Sequence, residues 1–271
     1  MNKELENAVP KIIYFIPDGR SGNNIFQYLA AEVIKHIFNF DIVQKINRVP
    51  QNALVINDEL YKNITEKYLE NKEKIIYETK NIVLVGYFQR SDILLYLRDY
   101  LLKKFNKSNN TYINNTYKIS DFSSDETKHK ISLDENDLVL HLRLDDFIHH
   151  NNPPNIFDKV EFCKYLDTIK FTKLYIVCDE IHHQWEKDYL DYFINKYKAI
   201  ILSGSLFDDF NFLKNCNRLV ISNSTFSWIA AYLGNAKEVY IPYSDFYKTH
   251  QSLKECHRNC KIHYDIPFAK F

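Results

Sequence analysis

No stretch of this chain is apolar for long enough to cross a membrane; nothing approaches the roughly 18–20 consecutive apolar residues that a span needs. The opening segment, MNKELENAVPKIIYFIP, has neither the apolar core nor the small-residue cleavage site of a signal peptide. An excess of charge of one sign is missing too. Lysine and arginine number 35 against 35 aspartates and glutamates, so no bulk attraction to nucleic acid or to an anionic membrane is expected. Cysteine is sparse and odd in number, five residues at 163, 178, 216, 256 and 260, three of them in apolar segments. That usage fits reduced thiols and a cytoplasmic setting. Glycine is limited to five residues, and no repeat recurs at solenoid spacings.

What the chain does have is apolar and aromatic surface. Hydrophobic residues make up 45% and charged residues 26%, the balance of a globular protein, and 20 Tyr with 19 Phe raise the aromatics to 15%. A length of 271 residues suffices for one large or two modest domains. The skew toward Asn, Ile, Lys, Tyr and Phe leaves little weight on the Asn-X-Ser/Thr matches at Asn63 and Asn114.

In chain order, Lys11–Ile16 reads as a strand that runs through a loop holding Gly19 and Gly22 into a helix from Ile25 to about Phe38. Asp41–Ile46 reads as a second strand, 60–74 as a charged helix, 82–85 as a buried strand and 91–105 as a helix. The polar stretch Asn106–Asp137 has no apolar period and is expected to be a long exposed loop carrying the domain boundary. Beyond it, strands at 137–144, 173–178, 199–202, 219–221 and 238–241 alternate with helices at 160–169, 184–197, 208–215 and 226–233. Such alternation predicts an α/β fold with parallel strands, and ligands then sit at the strands' carboxyl ends. The expected division is 1–135 and 136–271.

Two polar motifs fall at such ends. Leu219-Val220-Ile221 leads into Ser222-Asn223-Ser224-Thr225 and then an apolar helix, the strand–turn–helix corner that binds anions; an ordinary N-cap has the same composition. In DLVLHLRL, His141 and Arg143 are two apart and share a face. Arg143 reads either as an ion-pair partner of Asp145 or Asp146 or as a fixed cation for a phosphate. Alone, His141 reads as a satisfied core histidine. Cys256, His257, Cys260 and His263 supply thiolates and imidazoles, but the paired short repeat of a zinc module is missing and no metal site is expected. His149-His150 and His182-His183 read as solvated loop residues.

The block His141-Leu-Arg-Leu-Asp-Asp-Phe147 resembles the His-X-Arg-Arg-X-Asp-Phe motif of the α-1,2-fucosyltransferases, glycosyltransferase family 11. Ser222-Asn-Ser-Thr-Phe-Ser-Trp228 and Gly22-Asn-Asn-Ile-Phe-Gln-Tyr28 are similar to two further blocks of that family. Gly86-Tyr-Phe-Gln89 and Val177-Cys-Asp-Glu180 follow the family's order, so the resemblance spans about residues 12 to 245. Leu144 stands where the family has a second arginine, Asn24 where it has Gln, and Ile229 where it has a second Trp. No membrane anchor like that of the animal members precedes the first block, so the chain is more similar to bacterial or viral-type soluble members. For a viral member, the cytoplasm would be the host's.

The resemblance implies a GT-B arrangement, two Rossmann-like domains with parallel sheets facing a cleft. It implies GDP-fucose as donor and a glycan as acceptor, with neither metal nor other cofactor required and no nucleic-acid partner. Carried onto matching positions, Arg143 would meet the β-phosphate, and Ser224, Thr225 and Ser227 the same diphosphate. His141 and Asp179 would meet the guanine. Gly22, Asn23, Asn24, Tyr87 and Gln89 would face the acceptor, and Asp18 is a candidate base, with Asp146 either catalytic or orienting Arg143. Two rival readings are a transferase using another nucleotide sugar and a non-catalytic nucleotide- or sugar-binding relative, the latter suggested by Leu144.

Overall fold

The first apolar run forms β1 (Ile12–Phe15), and its inward residues Ile13 and Phe15 are fully buried. In the computed structural model, which describes residues 10–76, 79, 81–108, 111–123, 128–144 and 156–269, two units are distinct, one running to Ser120 and the other from Asp121. No described helix is long and apolar enough to cross a membrane.

In the first unit β1 is followed by α1 (Ser21–Phe38), β2 (Ile42–Lys45), β3 (Leu54–Ile56), α2 (Asp58–Asn71), β4 (Asn81–Leu84), α3 (Ser91–Tyr96) and α4 (Arg98–Lys107). The four strands are all parallel, in the order β2-β1-β4-β3. Strand order reverses between β1 and β4, which makes their carboxyl ends the natural place for a ligand. Helix α1 begins at Ser21, four residues earlier than the apolar pattern suggests, so Gly22, Asn23 and Asn24 lie in its first turn. The connecting loop needs glycine only at Gly19, whose φ is 75°. The helix expected over 91–105 is broken at Leu97 into α3 and α4. The 106–137 stretch is not one exposed loop. Tyr112 bridges Lys118 in antiparallel fashion and α5 (Ile119–Ser123) follows, with Ile113, Ile119 and Phe122 fully buried.

The second unit runs β5 (Leu138–Leu142), α6 (Lys159–Leu166), β6 (Leu174–Cys178), α7 (Gln184–Tyr197), β7 (Ile200–Leu202), α8 (Leu206–Asn215), β8 (Arg218–Val220), α9 (Thr225–Leu233), β9 (Glu238–Tyr243), α10 (Asp245–Thr249), a 3₁₀ turn (Gln251–Leu253) and β10 (Cys260–Asp265). All six strands are parallel, in the order β10-β9-β8-β5-β6-β7. Renumbered within the unit this is 6-5-4-1-2-3, the order of a Rossmann sheet. The central strands LVLHL and LYIVC are buried at every position, as continuous apolar strands of a parallel sheet should be. Leu138, Leu140, Leu142, Phe162, Ile176 and Phe193 build the core against them, each burial worth about 1.5–3 kcal/mol.

Order again reverses between β5 and β8. Beyond residue 256 the chain adds a further strand, with Cys260, Lys261, Ile262, His263 and Asp265 of β10 pairing with β9 to form that edge of the sheet.

Candidate functional site

At the carboxyl end of β5, His141 is 6% exposed and its Nδ1 lies 2.8 Å from Ser222 Oγ. Ser222 begins the turn after β8, so one hydrogen bond ties together the two strands that flank the reversal. Burial, and secondarily the charge of Arg143, push the imidazole down to about 3, so His141 is neutral at physiological pH. Its ring also packs at 5.6 Å against Phe226, the second residue of α9. Arg143 follows the strand's last residue and is half-buried. Leu144, where the family pattern has arginine, is 3% exposed and belongs to the hydrophobic core. Asp145, Asp146, Phe147, His149 and His150 lie outside the described residues, and with them the carboxylates weighed as partners for Arg143.

The turn from β8 to α9 is held from within and from behind. Ser224 is the N-cap of α9, and its hydroxyl accepts from the backbone N–H of Phe226 at 3.3 Å, a bond typically worth about 1 kcal/mol. Ser227 Oγ, fully buried, donates to the Ser224 carbonyl at 3.2 Å. Asn223 Oδ1 accepts from Ser244 Oγ at 2.7 Å, and Tyr247 OH donates to the Ser222 carbonyl at 2.7 Å. Trp228 Nε1 donates to the Leu253 carbonyl at 3.0 Å. Of the three hydroxyls expected at a diphosphate, Ser224 and Ser227 therefore shape the turn, while Thr225 is half-buried at the first position of the helix. A helix N-terminus so built gathers unpaired backbone N–H groups and positive potential. Arg143 follows β5 and this turn follows β8, adjacent strands of one sheet.

Asp179 is exposed at the end of β6, next to β5 in the sheet. Burial lifts the Cys178 thiol to about 12, with the Asp179 charge adding to the rise. Nearby, His129 Nε2 lies 2.7 Å from Asp209 Oδ1, and burial raises the Asp209 carboxyl against the opposing pull of His129. No sequence motif marks that pair, because His129 precedes the first strand of its unit by many residues.

The first unit's reversal point carries a second polar network. Asn24, 1% exposed, donates through Nδ2 to the Asp18 carbonyl at 3.0 Å, and its Oδ1 accepts from Asn114 Nδ2 at 3.1 Å. Gln27, fully buried, accepts from the Asp18 N–H at 3.1 Å and donates to the Gly86 carbonyl at 2.9 Å, joining the loops after β1 and β4. Gln89 Nε2 donates to Asn23 Oδ1 at 3.0 Å. Tyr87 is exposed, and a hydrogen bond with the Asp18 carboxylate, followed by burial, raises its hydroxyl.

The loop behind these residues is fixed by Asp58, whose carboxylate accepts from the N–H groups of Tyr87 at 3.2 Å and Phe88 at 2.6 Å. Gly86 has φ 154°, and a Cβ there would stand 2.3 Å from Asp58 Oδ2, so only glycine fits. Gly22 is buried in the first turn of α1. Beside this network Asp18, Gly19, Asn24, Asn47, Asn114 and Asn115 line a hollow of about 530 Å³. Amides and a carboxylate of this kind suit a polyhydroxylated ligand.

Gln27 and Ser222 sit inside motif blocks that the sequence marks, yet their roles as ties between loops show only in the fold. Asp58 carries no motif at all, and the Asn-X-Thr match at Asn114 says nothing of its bond to Asn24. Among the described residues no three His, Cys, Asp or Glu side chains converge in a geometry that could hold a metal ion, although Cys256 and Cys260 do meet.

Set beside known protein families, residues 27–263 match the model of glycosyl transferase family 11. No curated protein and no solved structure matches the chain.

Proposed function

Because the chain belongs to glycosyl transferase family 11, we propose that this glycosyltransferase moves L-fucose from GDP-fucose to a hydroxyl of a glycan acceptor with inversion. The observation that carries the reading is the His141–Ser222 hydrogen bond, which ties the carboxyl end of β5, where Arg143 follows, to the Ser222–Ser227 turn after the adjacent β8. In this reading the guanidinium and the α9 N-terminus hold the diphosphate. Departure of GDP develops negative charge on a phosphate oxygen while the sugar takes on oxocarbenium character. A fixed arginine and preorganised N–H groups stabilise that charge with no metal. Ser224 and Ser227 hold the N–H groups in place, and Thr225 offers its hydroxyl.

The Asp179 carboxylate suits the N1–H and N2–H₂ edge of guanine, and neutral His141 offers Nε2 without repelling or attracting the phosphates. The acceptor sugar occupies the hollow by Asp18, beside the hydrogen-bonded amides of Asn24 and Asn114. Asp18 takes the acceptor hydroxyl's proton as that oxygen attacks the anomeric carbon and the bond to GDP breaks. Asn23, Tyr87 and Gln89 fix the loop around it.

The core position of Leu144 leaves Arg143 without the family pattern's second arginine and favours, as the second reading, a different nucleotide sugar. One screen separates the readings: purified chain with GDP-fucose, GDP-mannose and UDP-sugars against galactosides and other glycans. Acceptor-dependent release of GDP from GDP-fucose is expected. Turnover of a UDP-sugar alone overturns the donor assignment, and GDP binding without transfer to any acceptor overturns the enzyme.

A further inference from the structure

Behind the turn that carries Ser222 lies a pair of thiols that the transfer reaction does not use. Cys256 is fully buried, Cys260 is half-buried, and their Sγ atoms are 3.8 Å apart. The short loop between them, His257-Arg258-Asn259, is closed by the N–H of Cys260 donating to the His257 carbonyl at 3.0 Å. The two sulfurs have unlike surroundings. Burial holds the Cys256 proton on, whereas the hydrogen bond that Cys256 offers favours the Cys260 thiolate. A half-buried thiol whose thiolate form is favoured, with a fully buried thiol behind it, is the arrangement of an attacking and a resolving cysteine. The other three cysteines, 163, 178 and 216, are buried in different elements.

We propose that Cys256 and Cys260 form a redox-active dithiol that is oxidised to an intrachain disulfide by low-molecular-weight disulfides. The Cys260 thiolate attacks one sulfur of R–S–S–R, whose S–S bond breaks, and RS⁻ leaves to take up a proton. Cys256 then loses its proton, attacks Cys260 Sγ and expels the second RS⁻, which is protonated in turn. Two protein thiols are oxidised and one R–S–S–R is reduced to two RSH. Bond formation draws the sulfurs from 3.8 Å to about 2.05 Å, a side-chain adjustment within one loop.

The site's position gives the modification a consequence. The cysteines lie within electrostatic reach of Tyr247, whose hydroxyl holds the Ser222 carbonyl and is raised by burial and then by the two thiols. Leu253, three residues before Cys256, accepts the indole N–H of Trp228 in α9. Cys260 opens β10, the edge strand paired with β9. A disulfide between residues 256 and 260 therefore staples the segment that backs the β8–α9 turn.

The test is a titration of the reduced full-length protein with oxidised glutathione, followed by alkylation, intact mass and peptide mapping. The expected result is loss of two of five alkylatable thiols, a mass lower by two hydrogens, and a peptide linking Cys256 to Cys260. Melting should rise by roughly 2–6 °C, as closing a short loop predicts. Cys256→Ser should stop at the mixed disulfide on Cys260, and Cys260→Ser should not react at this loop. Stable glutathionylation of wild-type Cys260, a disulfide to any other cysteine, or five thiols still alkylated would each overturn the proposal. Because thiol state is read directly, the result does not depend on whether the chain transfers fucose.

Discussion

His141 is neutral because it is buried, and that has a measurable pH signature. Its folded-state pKa falls from the ordinary 6.5 to about 3, so between these values the unfolded chain binds a proton that the folded chain refuses. Stability therefore rises with pH through this window and is lost on acidification, at up to about 1.4 kcal/mol per pH unit. Thermal melting from pH 7 to pH 5 should fall more steeply in wild type than in His141→Asn, which keeps a polar partner for Ser222. Equal slopes would mean that His141 is accessible to protons in the folded chain. Asp179 makes a different prediction. An exposed carboxylate on the base contributes uniform binding, so Asp179→Ala should raise the donor KM several-fold with kcat within about two-fold. A collapse of kcat at unchanged KM would move Asp179 into the chemistry.

At the scale of elements, position 144 shows how a strand end limits the site. The strand's alternation carries Leu142 and Leu144 into the core beside Ile156 and Phe157, while His141 points to the β8 turn. Leu144→Arg, which restores the family pattern, should therefore cost several kcal/mol of stability by burying a charge, read as a lower urea midpoint. Activity per folded molecule should not rise. Wild-type stability with faster transfer would show that the position opens onto the donor.

Most of the second unit is legible in the sequence because its strands alternate with helices around two continuous apolar runs, β5 and β6, and α7 falls where its pattern places it, Gln184–Tyr197. Three-residue β3 is not legible, since Leu54–Ile56 follows β2 with no helix between them and so stands outside the strand–helix alternation that marks the equally short β7 and β8. Strand β10 escapes the pattern because CKIHYD interrupts its apolar residues with Lys261, His263 and Asp265 and forms no apolar run. The start of α1 is hidden because Gly22, Asn23 and Asn24 look like loop, although Asn24 folds back on the Asp18 carbonyl and lets the helix begin earlier. Within the candidate site, Arg143, His141 and the Ser222–Ser227 turn are legible as motifs at strand ends. That Ser224 and Ser227 spend their hydroxyls on the turn itself depends on tertiary geometry and leaves no mark in the sequence.

Across the whole molecule, each unit has a sheet reversal that serves as a ligand site in the proposed function. One is a polar network around Asp18, the other an arginine and a helix N-terminus that follow adjacent strands. Charge stabilisation by Arg143 and backbone N–H groups predicts that transfer persists in excess EDTA. Loss of activity on chelation, restored only by added Mg²⁺ or Mn²⁺, would show that a cation, rather than Arg143, stabilises the leaving diphosphate.

The most direct measurement is calorimetric titration of GDP, GMP and guanosine into wild type and Arg143→Ala, with melting temperatures recorded alongside. If the diphosphate is held at the β5–β8 reversal, GDP should bind wild type at least about tenfold more tightly than guanosine, as charge-assisted bonds to phosphate require. Arg143→Ala should melt like wild type and lose most of that difference. Equal affinity for GDP and guanosine, or an undiminished preference for GDP in a well-folded Arg143→Ala, would contradict a diphosphate site at this reversal.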